Sequence, residues 1–262
     1  MMDSIAAKFR DMKLGGDVQV RNTIRLLDFL NAHHQEIEVL VYADKPQSGT
    51  AESPSRLELL QLLWTVATKK AIPPILLFGK YKSDYTVDNQ LDRFTIWTEK
   101  QYKNPPFHYI FKLGELYGLK DRSSMVDRFY RQIVETGSVD ILRQSVGEGE
   151  PVEREMDYVY IRDVLRVLYW FVVHRPESGV YELGSGFPRT DTAVASAVFR
   201  ALKRTPQINY ADDRMAKVPS AMPVLHTDLS HLRHIGYRKP FCPVESGVKS
   251  YLHQGHGMDD GF

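Results

Sequence analysis

The sequence predicts an α/β fold built on a mostly parallel sheet, with a second, smaller lobe at its C-terminal end. From residue 37 onward, apolar runs of strand length alternate with apolar-periodic segments of helix length, the rhythm of a sheet whose crossover helices cover both faces. A polar turn, "GEGEPVERE" from Gly147, interrupts that rhythm and marks a lobe boundary. A chain of 262 residues, 43% of them hydrophobic, is long enough to bury a substantial core.

The elements follow in order. Residues 18–34, "VQVRNTIRLLDFLNAHH", open as a short strand and continue with Ile24, Leu27, Phe29 and Leu30 at helical spacing. "IEVLVYA", 37–43, is a strand that ends in the turn-rich "DKPQSGTAESPS". Residues 55–71 form a helix apolar over most of its surface, and "IPPILLFGK" follows as a buried strand. "NQLDRFTIWTEKQYKN", 89–104, is the next helix, "FHYIFKLGELYG", 107–118, the next strand, and "SMVDRFYRQIVETG" a helix stopped by Gly137. Beyond the polar turn, "MDYVYIRDVLRVLYWFVV", 156–173, is an alternating aromatic strand running through Arg162 and Asp163 into an apolar helix. "GVYELGSGFPRTDTAVASAVFRALKRT" reads as a strand ending in Gly184-Ser185-Gly186, then a helix capped by Thr190 or Asp191. "INYADD" is a short strand, "DLSHLRHIGY" a short helix closed by Gly236, and "PVESGVKSYLHQ" a terminal helix. The chain thus divides into an N-terminal extension or remnant, 1–36, an incomplete core, 37–146, and a C-terminal lobe, 147–262, with 179–186 returning to the main sheet.

Composition narrows the partner classes. With Lys+Arg 34 against Asp+Glu 33 the net charge is +1, so no global field recruits nucleic acid or an anionic membrane. The single cysteine, Cys242, has no partner for an internal disulfide or a zinc cluster, which suits a reducing compartment or one where disulfides are unused. No apolar run approaches the roughly 18 residues of a membrane span, so no membrane span and a soluble chain are expected. "MMDSIAAKFRDMKL" carries two aspartates, unlike an Arg-rich, acid-poor transit peptide, and no signal-peptide core follows it; in an imported protein the address would already be removed.

The order of "ELYG", "DYVYIRDVLRVLYWFV", "GVYELGSG", "DLSHLRHIGYRKPF" and "VESGVKSYL" resembles the second half of the extended short-chain dehydrogenase/reductase superfamily, the NAD-dependent epimerase/dehydratase type. Within it the likeness is to ADP-glyceromanno-heptose 6-epimerase, an NADP-dependent nucleotide-sugar epimerase. That family's D-F-V-Y-V-x-D-V strand, its I-F-N-L-G-T-G turn and its L-x-x-x-G-Y-x-K-P-F-x-x-V-x-x-G-V tail are matched in turn by 157–164, 180–186 and 232–248. The resemblance runs from about residue 37 to the C-terminus, and "IEVLVYA" with the helix 55–71 resembles the fourth strand and following helix of that fold. It implies a truncated Rossmann-like sheet with a small lobe of substrate-domain type.

The chemistry implied by the resemblance is depleted at each station. Dinucleotide binding needs a glycine-rich first turn, because only glycine lets the backbone approach the pyrophosphate at a helix N-terminus. None of the 17 glycines forms G-x-G-x-x-G or G-x-x-G-x-x-G; Gly184-x-Gly186 has Arg189 where the third would stand. The first two strands and their helix are read as missing, and Asp44, Lys45 and Pro46 stand where the cofactor would lie, so no cofactor is expected. Hydride chemistry in the superfamily uses Tyr-x-x-x-Lys, the lysine lowering the phenol pKa. None of the 14 tyrosines has lysine four residues on. The positional counterpart is Tyr85 with Asn89, a vestigial pair, and asparagine supplies no charge; placing Lys100 in the motif puts Ile96 at the tyrosine position. Tyr158 and Arg162, read on a strand, would stand about 13 Å apart. The Ser/Thr turn of the family reads Gly79-Lys80. Its basic, His-containing loop is reduced to "LKDRSSM" and its R-Y-Q segment to "SAM", 220–222, leaving Lys120, Arg122 or Lys217 for phosphate.

Each sharp reading stands beside a plain one. The aromatic stretch 156–173 is either a site wall or core packing, and with the rest of the site depleted packing is the better reading; Asp163 then serves the helix N-terminus. His231 and His234 share a face of one helix but have no carboxylate or thiolate cluster, so no metal site is assigned. Gly184-Ser185-Gly186 could cradle phosphate, yet in the family it closes a strand. "FRALKRT" with "HLRHIGYRKP" makes a locally basic C-terminal half, with Tyr210 and Tyr237 available for stacking on RNA.

The sequence therefore predicts a pseudoenzyme: a non-catalytic epimerase-like protein acting as a structural or assembly subunit of a larger complex, with no catalytic, cofactor or metal residues. Loss of the first strand would bare the edge of 37–43, an association hazard unless covered; either the N-terminal 36 residues fold over it or a partner subunit adds a strand there. Degenerate members of the superfamily serve as accessory subunits of mitochondrial assemblies, so a mitochondrial setting is expected, a respiratory complex or mitoribosome, with cytoplasm as the other. The alternatives are an NAD(P)-dependent nucleotide-sugar epimerase or NADP-binding sensor using Tyr85, and an RNA-binding subunit on the same scaffold.

Overall fold

A computed structural model describes residues 35, 40–44, 54–79, 93–94, 96–98, 100–102, 107–118, 124–144, 151–213 and 226–255. Its elements are β1 (Leu40–Asp44), α1 (Pro54–Lys69), β2 (Pro74–Gly79), β3 (Tyr109–Leu113), β4 (Glu115–Tyr117), α2 (Met125–Thr136), β5 (Val139–Gln144), β6 (Glu155–Met156), β7 (Tyr158–Tyr160), α3 (Ile161–His174), β8 (Gly179–Leu183), β9 (Arg189–Thr190), α4 (Asp191–Ala201), β10 (Ile208–Asp213), α5 (Ser230–His234) and α6 (Val244–Gly255). Residues 93–94, 96–98 and 100–101 are also helical. One sheet runs β1-β2-β3-β8, and three two-stranded sheets are formed by β10-β5, β4-β7 and β6-β9. This is the Rossmann-like, mostly parallel α/β fold expected. Two compact units divide the chain: the first holds Met1–Phe78, Lys82–Ile110 and Ser178–Val180, the second Gly79–Tyr81, Phe111–Glu177 and Tyr181–Phe262.

In the first unit β1 and β2 pair in parallel, Leu40 opposite Pro74 and Ala43 opposite Leu77. Parallel neighbours need a crossover, and α1 supplies it. Residues 62–67 of α1 are all buried, as expected of a helix apolar around its circumference. Leu60 and Trp64 from α1 join Leu76, Phe94 and Ile110 in one apolar cluster, with Trp64 edge-on to Phe94 at 5.2 Å and to His108 at 4.8 Å. Among the described residues β1 has a strand neighbour on one side only.

The second unit has its own core, in which Phe129 and Ile133 of α2, Tyr158 and Tyr160 of β7, and Val194 and Val198 of α4 are buried together. Full burial of side chains such as Phe129 and Ile133 contributes ~1.5–3 kcal/mol each. The sequence fixes both ends of α2. Ser124 and Asp127 form a reciprocal capping box, and Gly137, at φ 79, accepts the left-handed conformation that ends the helix.

Two expectations are corrected and one omission is filled. The strand read over 107–118 is two strands, because at Gly114 the backbone exchanges partners: Gly114 N–H donates to the Leu183 carbonyl at 2.7 Å and Glu115 N–H to the Asp157 carbonyl at 2.7 Å. A Cβ at Gly114 would collide with that Asp157 carbonyl, so the crossing point requires glycine. Residues 139–144, unassigned in the sequence reading, form β5, parallel to β10 with Val139 opposite Ile208. Finally, α3 starts at Ile161, so Arg162 is helical and not on a strand; its guanidinium lies 5.9 Å from the Tyr160 ring centroid.

Candidate functional site

Buried polar groups in the second unit gather around β7. Asp157, immediately before that strand, is fully buried. One carboxylate oxygen accepts from the Ser185 N–H at 2.7 Å and the Ser185 hydroxyl at 2.5 Å; the other accepts from the Gly186 N–H at 2.9 Å. The turn Gly184-Ser185-Gly186, a candidate phosphate cradle, therefore spends its N–H donors on the protein's own acid. Gly184 is required there, since a Cβ would collide with Asp157 and Thr227.

The second network joins Arg154, Tyr158, Asp191 and Glu115. Arg154 Nε donates to both Asp191 oxygens, at 3.2 and 2.9 Å, and the Tyr158 hydroxyl donates to Asp191 Oδ1 at 2.9 Å. Thr190 is the N-cap of α4, accepting from the Ala193 N–H at 3.1 Å, which leaves Asp191 free to turn back onto Arg154 and Tyr158. Glu153 closes the same helix end, accepting from the Thr192 N–H at 2.9 Å and its hydroxyl at 2.7 Å. Burial raises the Glu115 pKa, opposed by Arg154 and reinforced by Asp191. Burial likewise pushes the Tyr158 phenol well up, with Asp191 adding to the rise.

Tyr117, Tyr160 and Tyr181 of the second unit are also buried. Tyr117 stacks on Tyr160 at 5.3 Å and 16°; burial drives its phenol up, and among the described residues its hydroxyl has no hydrogen-bond partner. Tyr181 donates to the Glu177 carbonyl at 2.6 Å, and burial pushes it up to about 12. None of these shifts favours a phenol that gives up its proton near neutral pH; Tyr117, Tyr158 and Tyr181 are held as neutral rings. Chemically the arrangement holds its carboxylates on internal donors, while Arg154 Nη2 and the Tyr117 hydroxyl are buried without a hydrogen-bond partner among the described residues. Asp163, in the first turn of α3, accepts from the Cys242 N–H at 2.7 Å and pairs with Arg166, and the Cys242 thiol is pushed up by burial and by Asp163, away from the reactive thiolate.

The sequence-predicted residues fare differently. Tyr85 and Asn89 lie outside the described residues, as do Lys45, Pro46, Lys80, Lys120, Arg122, Lys217 and 220–222. The aromatic stretch is core on one side only: Tyr158, Tyr160, Val164, Val167 and Phe171 are buried, while Leu165, Tyr169 and Val173 are exposed. His231 stacks on Tyr181 at 4.4 Å and its Nε2 lies 3.2 Å from Glu177 Oε1. Tyr237, read as available for stacking on RNA, is buried, edge-on to Trp170 at 5.7 Å, which corrects that expectation; Tyr210 is exposed, under Arg143 at 5.0 Å. Sequence reasoning missed Glu115 and Arg154. Glu115 had a signal, a charge within the otherwise apolar run 107–118; Arg154, inside the polar turn from Gly147, had none.

No protein-family model matches the chain. In sequence it is similar to ADP-L-glycero-D-manno-heptose-6-epimerases: that of Fusobacterium nucleatum is 26% identical over 180 residues, covering 64% of this chain and 54% of the relative. That of Nitratidesulfovibrio vulgaris is 27% identical over 201 residues, covering 75% and 59%. The chain spans about half the length of these curated relatives. In fold it is similar to the crystal structure of the Helicobacter pylori heptose epimerase, with TM-score 0.67 and 17% identity over 88% of this chain and 76% of that one. It is similar also to the UDP-glucose 4-epimerase of Thermotoga maritima with UDP-glucose, with TM-score 0.67 and 15% identity over 97% and 96%.

Proposed function

We propose that this divergent relative of the NAD-dependent epimerase/dehydratase family is a non-catalytic protein, retained as a structural or assembly subunit of a larger complex. The observation that carries this reading is internal to the chain: none of its 14 tyrosines is followed four residues on by lysine, so the Tyr-x-x-x-Lys pair that lowers a catalytic phenol's pKa is not present. Two features of the second unit support it. Tyr117, Tyr158 and Tyr181 are shifted away from acid–base work, and the Gly184–Gly186 turn is filled by Asp157. Meanwhile the groups that hold shape are intact: both caps of α2, the Asp157 turn and the Arg154–Asp191–Tyr158 cluster.

The partner's place is the side of β1 that has no strand neighbour among the described residues, where Val41 is 48% exposed, a strand-addition edge. The setting proposed is a mitochondrial assembly, a respiratory complex or mitoribosome, and fractionation of tagged protein tests it. The native mass of the tagged full chain in gentle extract tests the function itself. A large assembly of fixed stoichiometry is expected, and a free monomer would overturn the reading.

A second reading has one observation in its favour, the match to nearly the whole length of a UDP-glucose 4-epimerase structure. On that reading the chain is an NAD(P)-dependent nucleotide-sugar epimerase or dinucleotide sensor with an atypical site. It requires saturable stabilisation by NAD(P)H; absence of any thermal shift at millimolar dinucleotide excludes it.

A further inference from the structure

Three apolar side chains stand in line on the outside of α3. Leu165, Tyr169 and Val173, four residues apart, are 56%, 72% and 56% exposed, and that spacing places them along one helix face. Beside them lies a hollow of about 300 Å³ lined by Leu165, Arg166, Tyr169, Trp170, His174 and Lys239. Part of its wall is held by contacts. Trp170 stacks on His174 at 4.4 Å and meets Tyr237 edge-on at 5.7 Å, while Arg166 is held by Asp163 and donates to the Pro240 carbonyl at 3.2 Å. The surroundings are basic: Arg175, Arg238 and Lys239 are exposed, and no carboxylate among the described residues pairs with them. The one acid of α3, Asp163, is buried and committed to Arg166 and the Cys242 N–H.

We infer that this face of α3 receives an acidic amphipathic helix of a partner protein, with an apolar side chain seated in the hollow and carboxylates against Arg175, Arg238 and Lys239. The inference rests on the proposal that the chain is a subunit of a larger assembly, and it adds the chemistry of one neighbour. Charge complementarity selects an acidic partner. Concavity selects a protein: a bilayer surface is entered by protruding side chains and does not fill a hollow. RNA would stack on open ring faces; His174 covers one face of Trp170, while exposed Tyr169 leaves RNA as an outcome of the test. Tyrosine, tryptophan and arginine are also the side chains that anchor protein interfaces. With 14 residues, α3 offers about 21 Å of helix, enough for two to three turns of a partner helix laid along it.

The test places a photo-crosslinking amino acid at Tyr169 of the full chain, with a control at exposed Val134 on α2, in the assembly isolated at native mass. The expected adduct from Tyr169, absent from Val134, maps to one partner segment in which Asp and Glu outnumber Lys and Arg and apolar residues recur every three or four positions. Arg238→Glu with Lys239→Glu should cut its yield roughly tenfold, as for loss of an interface hot spot, with thermal stability unchanged because both side chains are exposed. An adduct to lipid, to RNA, to a second copy of this chain or to a basic segment overturns the inference and leaves the assembly standing; so does the absence of any Tyr169 adduct within the assembly. A monomeric native mass removes the subunit reading and the inference together.

Discussion

The carboxylate of Asp157 and the backbone N–H of Ser185 meet at 2.7 Å across 28 residues of sequence, and the same oxygen takes the Ser185 hydroxyl at 2.5 Å. One buried acid thereby organises the turn that ends β8.

Asp157→Asn should destabilise the protein by about 2–4 kcal/mol, because an amide accepts on one atom only and leaves a buried donor facing its NH2. Ser185→Ala, which spares the two backbone donors, should cost only ~1 kcal/mol. Urea unfolding measures both, and equal costs would mean that the hydroxyl and not the backbone holds the carboxylate.

Gly247→Ala should cost about 2–3 kcal/mol by overpacking. A Cβ there would overlap the Tyr117 hydroxyl and stand 2.9 Å from Cζ, and Tyr117 cannot swing away from Tyr160, on which it stacks. Tyr117→Phe removes a buried hydroxyl without a described partner and should be neutral or stabilising. The double variant should recover much of the loss, a coupling that a mutant cycle reads directly.

Stability should fall with rising pH because of Glu115. Burial raises its folded pKa above the ordinary 4.5, so the native state holds the proton more tightly than the unfolded chain. Its contribution is complete below that value and is lost as pH rises through the folded pKa. Glu115→Gln should flatten this slope, with a stabilisation that grows from acid to neutral pH and disappears below 4.5.

Tyr181 should remain a phenol until about pH 12. Since its folded pKa lies above that of the unfolded chain, the stability it contributes is present below the ordinary value of 10.0 and is lost as pH climbs through 12. Tyr181→Phe should delete that late step from an ultraviolet titration and soften alkaline unfolding.

The strand and helix rhythm was legible where local chemistry decides it. Ile75, Leu76 and Leu77 are buried in succession, and α2 is bracketed by Ser124 and Gly137. β5 was missed because Asp140 and Arg143 break its apolar run, although Val139 and Ile141 alternate with exposed Asp140 and Leu142. The break at Gly114 was illegible, since it is set by carbonyls of Asp157 and Leu183 far along the chain. The polar clusters were hidden for the same reason: Asp191 reaches Tyr158 across 33 residues, and no local spacing announces such a pair. The empty Tyr-x-x-x-Lys pattern needed no structure, because it is a statement about residue types.

The carbonyl of Ile133 accepts twice, from the Gly137 N–H that ends α2 at 3.0 Å and from Arg204 Nη1 at 2.7 Å, just beyond the end of α4. The last turn of one helix is thus latched by the exit of another, 71 residues later. Opening either end exposes the other's acceptor, so the two termini form one unit of local unfolding. In hydrogen exchange their amides should become labile at a common rate, and Arg204→Ala should split that single rate into two.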